Sequence, residues 1–358
     1  MGGAVGTGLE TEYVPDSLLE KLRASRDLAL KFLLDRIDSS GKPEGGPEHH
    51  ARLPWTLAVA GARPEAAAVL SWHEREVLGA DGDLLPGPNR DRWTFQWSSY
   101  PLSMLAFGAW ILERYDTALA IMDTLVDFQD VETGGAFAQR PEVRKSQRQD
   151  LFPTAQLGMS GLMTGRPEVA ARCFTWLTDL YQTQPHLPSR LYTARDENGL
   201  MIPTKDSPPT RIGSSFEFEV VTDFDKPKQA FYNPGIAAAF LARYYMATGD
   251  ENAKHLGQNY LSLSEKGTER QFDHSESMQI CKFGWGAANM LEIDPTAGHL
   301  LNVLKMTKWF IASQRSDGSW RDSAFLIPKP EVGDVMEITA EFALHESTLL
   351  KTLLGFSR

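Results

Sequence analysis

Lys282 stands in the run ESMQICKFGWGAANML, which otherwise reads as a buried helix. A lysine there is costly unless its ammonium finds an anionic partner or snorkels along its stem. Its chemical use would be a point charge aimed at a phosphate. Met278 lies four residues earlier, hence on the same helical face. Carboxylates recur in the segments that precede apolar helices: Asp150, Asp223, Asp225, Asp273, Glu276, Glu341 and Glu346. Asp223-Phe-Asp225 can offer two oxygens to one side. Mg²⁺ needs only one or two protein carboxylates when phosphate and water fill its other positions. Asp150, Asp223, Asp225, Asp273 and Glu276 are therefore the candidate metal ligands, with helix N-capping the competing use of Asp150 and Asp273. Lys226, Lys228 and Arg148 are further candidate cations toward a phosphate, and Asn233 is a polar candidate at the start of an apolar helix.

Aromatic residues crowd the same segments: Trp55, Trp93, Phe95, Trp97, Tyr100, Phe152, Phe231, Tyr232, Phe283 and Trp285. Core packing is the ordinary use of any one such ring. Together, at the polar ends of small-residue helices, they suit a carbocation held by ring faces at roughly 0.5–2 kcal/mol each, or a stacked sugar.

The elements that must position these residues form a repeat. A small, apolar helix (TAQLGMSGLMTG, GIAAAFLARYYMATG) is followed by a short break and an amphipathic helix (RPEVAARCFTWLTDLYQ). The breaks TGRPE, TGDEN and IDPTA supply glycine C-caps and Asp or Pro helix starts. The opening helix SLLEKLRASRDLALKFLLDRIDSSGK and the closing one MEITAEFALHESTLLKTLLGF complete about twelve helices in six pairs, at a spacing of roughly 40 to 60 residues. Helices apolar all round are buried and amphipathic ones face solvent. Six of each, alternating, predict an all-α (α/α)6 toroid occupying residues 1–358 as one domain, with 1–14 as a flexible tail. A long insertion separates the third outer from the fourth inner helix, and PTRIGSSFEFEVVTDF within it alternates enough for a short hairpin. Inner-helix N-termini carry partial positive charge, so the segments leading into them are where a site belongs.

Bulk properties narrow the partners. Net charge is -11 with no basic stripe, which argues against nucleic acid. No apolar run reaches the roughly 20 residues of a membrane span, and the N-terminus lacks the pattern of a signal peptide. Two cysteines, Cys173 and Cys281, exclude a disulfide framework, and a reducing, cytoplasmic setting is expected. Cys173 reads as an outer-helix packing residue. His73, His186 and His255 fall in segments that read as exposed, and His49-His50 as a solvated pair. A homodimer is left open.

The segment ASQRSDGSW (312–320) closes an outer helix and resembles the QW-type motif of squalene and other triterpene cyclases, whose fold is such a toroid; FQDVETGGAF (128–137) occupies the same place three repeats earlier. Neither DDxxD nor DxDD is present. A toroid of this length without those motifs, bearing an inner-helix lysine with methionine four positions before it, resembles the non-standard fungal humulene synthases of tropolone sesquiterpenoid pathways. That resemblance implies an essential lysine, here Lys282, and two Mg²⁺ ions holding farnesyl diphosphate, with Met278 controlling double-bond geometry. The expected activity is a class I terpene cyclase, its wall built from Trp97, Tyr100, Phe152, Tyr232 and Trp285, and its substrate contacts including Trp55, Phe231 and Asn233. The alternative is a carbohydrate-active toroid (a glycosidase, unsaturated uronyl hydrolase or epimerase) using a carboxylate pair, in which His274, His345 and Glu346 matter more. A prenyltransferase-like zinc site would draw on Asp273, Cys281 and His345.

Overall fold

A computed structural model describes residues 14–86, 97–140, 147–196, 199, 220–273, 280–321 and 327–356. These hold twelve α-helices. Six are inner: α2 (Leu53–Val59), α4 (Ser99–Ile111), α6 (Leu151–Met163), α8 (Tyr232–Thr248), α10 (Cys281–Ile293) and α12 (Val332–Phe356). Six are outer: α1 (Asp16–Leu34), α3 (Arg63–Glu76), α5 (Tyr115–Val126), α7 (Pro167–Gln182), α9 (Glu251–Glu265) and α11 (Ala297–Ser313). Each inner helix packs on the next, α2 through α12, and α12 returns to α2, so the ring closes. Each outer helix backs the inner one before it, and α1 backs α12, joining the two ends of the chain. Val14, placed in the tail on sequence grounds, is buried against the core.

The two helix classes follow from composition. α4 is buried at every position from Ser99 to Ala109, because small and apolar residues occupy its whole circumference. α7 buries Val169, Ala170, Cys173, Trp176, Leu177 and Leu180, a single stripe at helical spacing, and leaves its charges outside. Cys173 is indeed packing: Gln129 donates to its sulfur at 3.2 Å. Between the classes, Gly249 adopts the left-handed conformation as C-cap of α8, and Asp250 accepts from the Asn252 N–H to start α9.

The Gln-Asp-Gly-Trp segment has a definite task. Gln314 donates to the Ser25 and Gly318 carbonyls, tying the end of α11 to α1. Trp320 is fully buried and donates to the Phe310 carbonyl and the Ser313 hydroxyl. Gly318 has φ +88°, and a Cβ there would lie 2.4 Å from the Leu28 carbonyl oxygen on α1. Gly134, after α5, repeats this against the Arg172 carbonyl on α7. Each turn thus locks one outer helix to a neighbour, and the 318 turn closes the circle.

Strand structure exceeds the single hairpin expected. β1 (Ala136–Phe137), β2 (Gln149–Asp150) and β4 (Ala194–Arg195) form an antiparallel ribbon that delivers the chain into α6. β5 (Val221–Asp223) pairs antiparallel with β3 (Arg190–Tyr192) in the insertion between α7 and α8. Residues 209–219 of the hairpin expected there lie outside the described residues. No helix among those described is long and apolar enough to cross a membrane.

Candidate active site

Because all six inner helices run the same way, their N-terminal ends gather at one end of the ring. Residues at or near those ends meet across the axis. Arg52, the N-cap residue of α2, reaches Glu341 of α12 at 3.0 Å and donates to the Tyr100 hydroxyl of α4 at 3.3 Å. Lys282, second residue of α10, is only 2 % exposed and pairs with the other oxygen of Glu341. Its Nζ lies 6.0 Å from the Tyr100 ring centroid and 5.7 Å from that of Tyr232, first residue of α8. Phe152 of α6 touches Tyr100 and Tyr232, each at 5.5 Å between centroids, and Trp97 at 4.7 Å. Every inner helix therefore contributes to one connected set. Trp55, Phe152 and Tyr232 stay only partly buried, so this end of the axis is open to solvent.

One helical turn further in lies a second layer. Trp55, Trp285 and His345 follow Arg52, Lys282 and Glu341 by three or four residues on the same helices. Trp285 packs against Trp55 at 6.2 Å and against His345 at 5.5 Å. A charged layer thus caps an aromatic one.

The charges are fixed by one another. Burial alone would discharge Lys282, but Glu341 beside it overrides burial and holds the ammonium above its ordinary range. Burial opposes the Glu341 charge likewise, and Arg52 and then Lys282 pull its carboxyl well below the usual range. Burial pushes His345 down to about 4, so its imidazole is neutral at pH 7. Arg52, Lys282 and Glu341 leave one net positive charge among helix N-termini, an environment for an anion.

Arg148 and Asp150 form a second buried pair, bidentate at 2.6 to 3.0 Å, with the guanidinium 5.1 Å from the Trp97 ring centroid. Asp150 occupies the N-cap position of α6 yet accepts no capping bond from it, because Arg148 takes both its oxygens. A third group surrounds His49. Its Nδ1 lies 3.0 Å from Glu337 and 3.8 Å from Asp334, and its Nε2 lies 3.4 Å from Glu48. Burial would lower its pKa, but the Glu337 hydrogen bond reverses that and keeps the ring cationic to higher pH.

The sequence-derived candidates divide accordingly. Lys282, Trp55, Trp97, Tyr100, Phe152, Tyr232 and Trp285 come together, with Arg148 beside Trp97. Asn233 is buried next to Tyr232, donates to the Ala230 carbonyl, and keeps an unpartnered Oδ1 among the described residues. Phe231 is turned into the core against Phe224. Asp223 ends β5, and Asp225, Lys226 and Lys228 stand on the turn after it; Asp223 pairs with Arg190 at 3.0 Å and Lys226 at 3.3 Å. Asp273 ends a short 3-10 turn after α9. Glu276, Met278, Trp93, Phe95 and His274 lie outside the described residues. The expected carboxylate set is therefore not gathered: Asp150, the adjoining Asp223 and Asp225, and Asp273 stand on three separate segments, because the loops entering the inner helices run separately around the ring. Among described residues one group brings three possible ligand atoms within 4.8 Å: Cys281, Glu341 and His345. Both oxygens of that glutamate already hold cations, and burial raises the Cys281 thiol far above its usual range. A divalent ion would face Lys282 and Arg52 there, so the group does not suit zinc.

Two histidine readings and one acid are corrected. His49, His50 and His73 are all buried, His73 with Nδ1 on the Val69 carbonyl, because the chain entering α2 packs beneath α12 and α3. Glu346 faces α1, one residue beyond the inward face of His345. Ser25 Oγ lies 2.7 Å from Glu346 and 2.8 Å from Gln314 Oε1. One hydroxyl hydrogen cannot serve two acceptors, so Glu346 carries a proton and donates it to Ser25. Burial pushes its pKa up to about 8. An acid raised above its ordinary range stays protonated in the fold while the unfolded chain ionises, so its contribution falls as pH rises from about 4.5 to about 8. Glu346→Gln is expected to raise stability at pH 8 by on the order of 1–3 kcal/mol and to leave it nearly unchanged at pH 4.5. Thermal unfolding at the two pH values checks this; an equal effect at both removes the assignment.

Arg52, His49, Asp334 and Glu337 were not anticipated from sequence. The signal lay in α12, where Asp334, Glu337, Glu341 and His345 recur at three- and four-residue steps, one polar stripe on an otherwise apolar helix.

No protein-family model and no curated protein matches the sequence. Solved structures match in fold. An inactive variant of the α-1,6-mannanase GH76A of Salegentibacter sp. HEL1_6, in complex with α-1,6-mannotetrose, is 11% identical over 94% of this chain and 99% of its own, with TM-score 0.63. The type II terpene cyclase MstE from Scytonema, in complex with merosterolic acid A, is 12% identical over 95% and 100%, with TM-score 0.57. The Lin0763 protein from Listeria innocua is 14% identical over 93% and 98%, with TM-score 0.60. These likenesses show the α/α toroid and extend to the fold alone.

Proposed function

We propose that the protein ionises an isoprenoid diphosphate of farnesyl size and cyclises it to a sesquiterpene such as humulene. The observation that supports this is the two-layer axis: buried cations among converging helix N-termini, directly above an aromatic wall. Cleavage of the allylic C–O bond sends its electron pair out with the diphosphate. Lys282, Arg52 and the helix N-termini stabilise the charge that develops there. Trp97, Tyr100, Phe152 and Tyr232 face the allyl cation and keep water from it. Met278, four residues before Lys282 in sequence, remains the proposed control on double-bond geometry.

Magnesium is part of the same reading, and the described carboxylates fit it poorly. Asp150 is chelated by Arg148, Asp223 by Arg190 and Lys226, and Glu341 by Lys282 and Arg52. The steps above are accordingly derived from the chain's own groups. Incubation with farnesyl and geranylgeranyl diphosphates, with Mg²⁺ and with EDTA, followed by analysis of volatile hydrocarbons, tests both parts. A cyclic hydrocarbon from farnesyl diphosphate, lost with EDTA, is expected. No product from either substrate removes the reading; undiminished product in EDTA removes the metal.

A carbohydrate reading draws on one observation, the Asp334 and Glu337 carboxylates that flank His49 at the same open end. It takes the carboxylate pair from α12 rather than from Glu346. Release of reducing sugar from α-mannan, unaffected by EDTA, would favour it.

A further inference from the structure

Among the described residues, His345 is the one group in the aromatic layer that can accept a proton. It is 2 % exposed, and neither ring nitrogen has a hydrogen-bond partner among the described residues. A buried imidazole without partners is expensive to keep, and apolar packing alone would be better served by leucine or phenylalanine. The ring lies beside Trp285, its centroid 5.5 Å away, and its Nε2 is 3.6 Å from Glu341, too far for a hydrogen bond but close for electrostatic contact. Four residues separate His345 from Glu341 on α12, which places it about 6 Å deeper along the axis than the charged layer. An isoprenoid whose diphosphate meets Lys282 and Arg52 would bring its hydrocarbon to that depth.

We propose that His345 is the general base that ends the cyclisation, removing a proton from the final carbocation with Nδ1. This inference rests on the cyclisation reading. The electron pair of the broken C–H bond becomes the new C=C bond, and the proton becomes the second N–H of an imidazolium. Glu341 faces that imidazolium through the Nε2 side, as an orienting carboxylate does for a catalytic histidine. The proton then passes to the departing diphosphate, which restores the neutral ring. The charged and titratable groups around His345 are Glu341 on its own helix and Cys281, Lys282 and Arg52 from α10 and the start of α2. The two cations, with burial, keep the resting imidazole unprotonated and ready to accept.

The test separates ionisation from proton removal. Wild type, His345→Phe and His345→Gln are incubated with farnesyl diphosphate, and diphosphate release and hydrocarbon composition are measured side by side. A base acting after ionisation predicts release within about threefold of wild type, while the share of the main alkene falls at least about tenfold in favour of other alkenes and water-quenched alcohols. Should His345→Phe not fold, the polar His345→Gln gives the same reading. An unchanged product composition in the folded variant overturns the assignment of His345. Absence of diphosphate release from the wild type overturns the cyclisation reading instead.

Discussion

Lys282→Met is expected to lower turnover of an isoprenoid diphosphate by at least about 10²–10³-fold, the loss typical of one preorganised charge at a developing anion. Methionine keeps the length and apolar stem of lysine, so packing against Tyr100 and Tyr232 changes little. The charge balance changes much more: Glu341 would keep Arg52 as a cationic partner, and removing one member of a buried pair costs about 3–5 kcal/mol. Stability and activity would fall together, so a second variant separates them. Lys282→Met/Glu341→Gln removes both charges and is expected to recover most of the lost stability. If Lys282 serves only as the counter-ion of Glu341, activity recovers with it. If Lys282 grips a phosphate, the double variant folds well and stays inactive. Thermal unfolding and steady-state rates of the three proteins decide the matter, and wild-type activity in either variant would remove Lys282 from the site.

Gly235→Ala is expected to damage the same site from behind. A Cβ at Gly235 would lie 2.0 Å from the Lys282 carbonyl oxygen, where α8 and α10 approach backbone to backbone. Gly286 serves the approach from the other side, its Cβ position 2.7 Å from the Gly235 carbonyl. Both obstacles are main chain, so the helices must separate. Overpacking of this kind costs about 1–3 kcal/mol. The shift is transmitted directly to Lys282 at the start of α10, and a displacement of about 1 Å at a catalytic group costs on the order of 10²-fold in rate. Gly298→Ala is the control: it sits in α11 with open space around it and is expected to be neutral or slightly stabilising, by about 0.5–1 kcal/mol. Equal Tm and equal rates for the 235 and 298 variants would show that the close approach does not govern the site.

The toroid was legible because each helix carries its environment in its own residues. GIAAAFLARYYMATG has no polar face and can only be interior; RPEVAARCFTWLTDLYQ has one and can only be peripheral. Lys282 was legible as an anomaly, a charge in a segment with no solvent face. The aromatic set was legible because it recurs at the same place in successive repeats.

Arg52 was harder to see. It stands in EHHARLPW, a polar segment in which an arginine breaks no pattern, and its importance comes from Glu341, some 290 residues away in sequence. The carboxylates misled for the same reason. Asp150, Asp223 and Asp273 all stand on segments that lead into inner helices, yet successive segments around a ring are separated in space. Only side chains long enough to cross the axis meet.

From the residues alone, then, one could read periodicity, burial and which end of each helix is polar, because these depend on neighbours within a turn or two of chain. Which acid faces which base depends on how six separate helices are arranged about an axis, and no local pattern encodes that. Closure of the ring brings Glu341 between Lys282 and Arg52, turns Glu346 toward Ser25, and sets His345 beside Trp285, because contacts between distant segments exist only once the circle is complete.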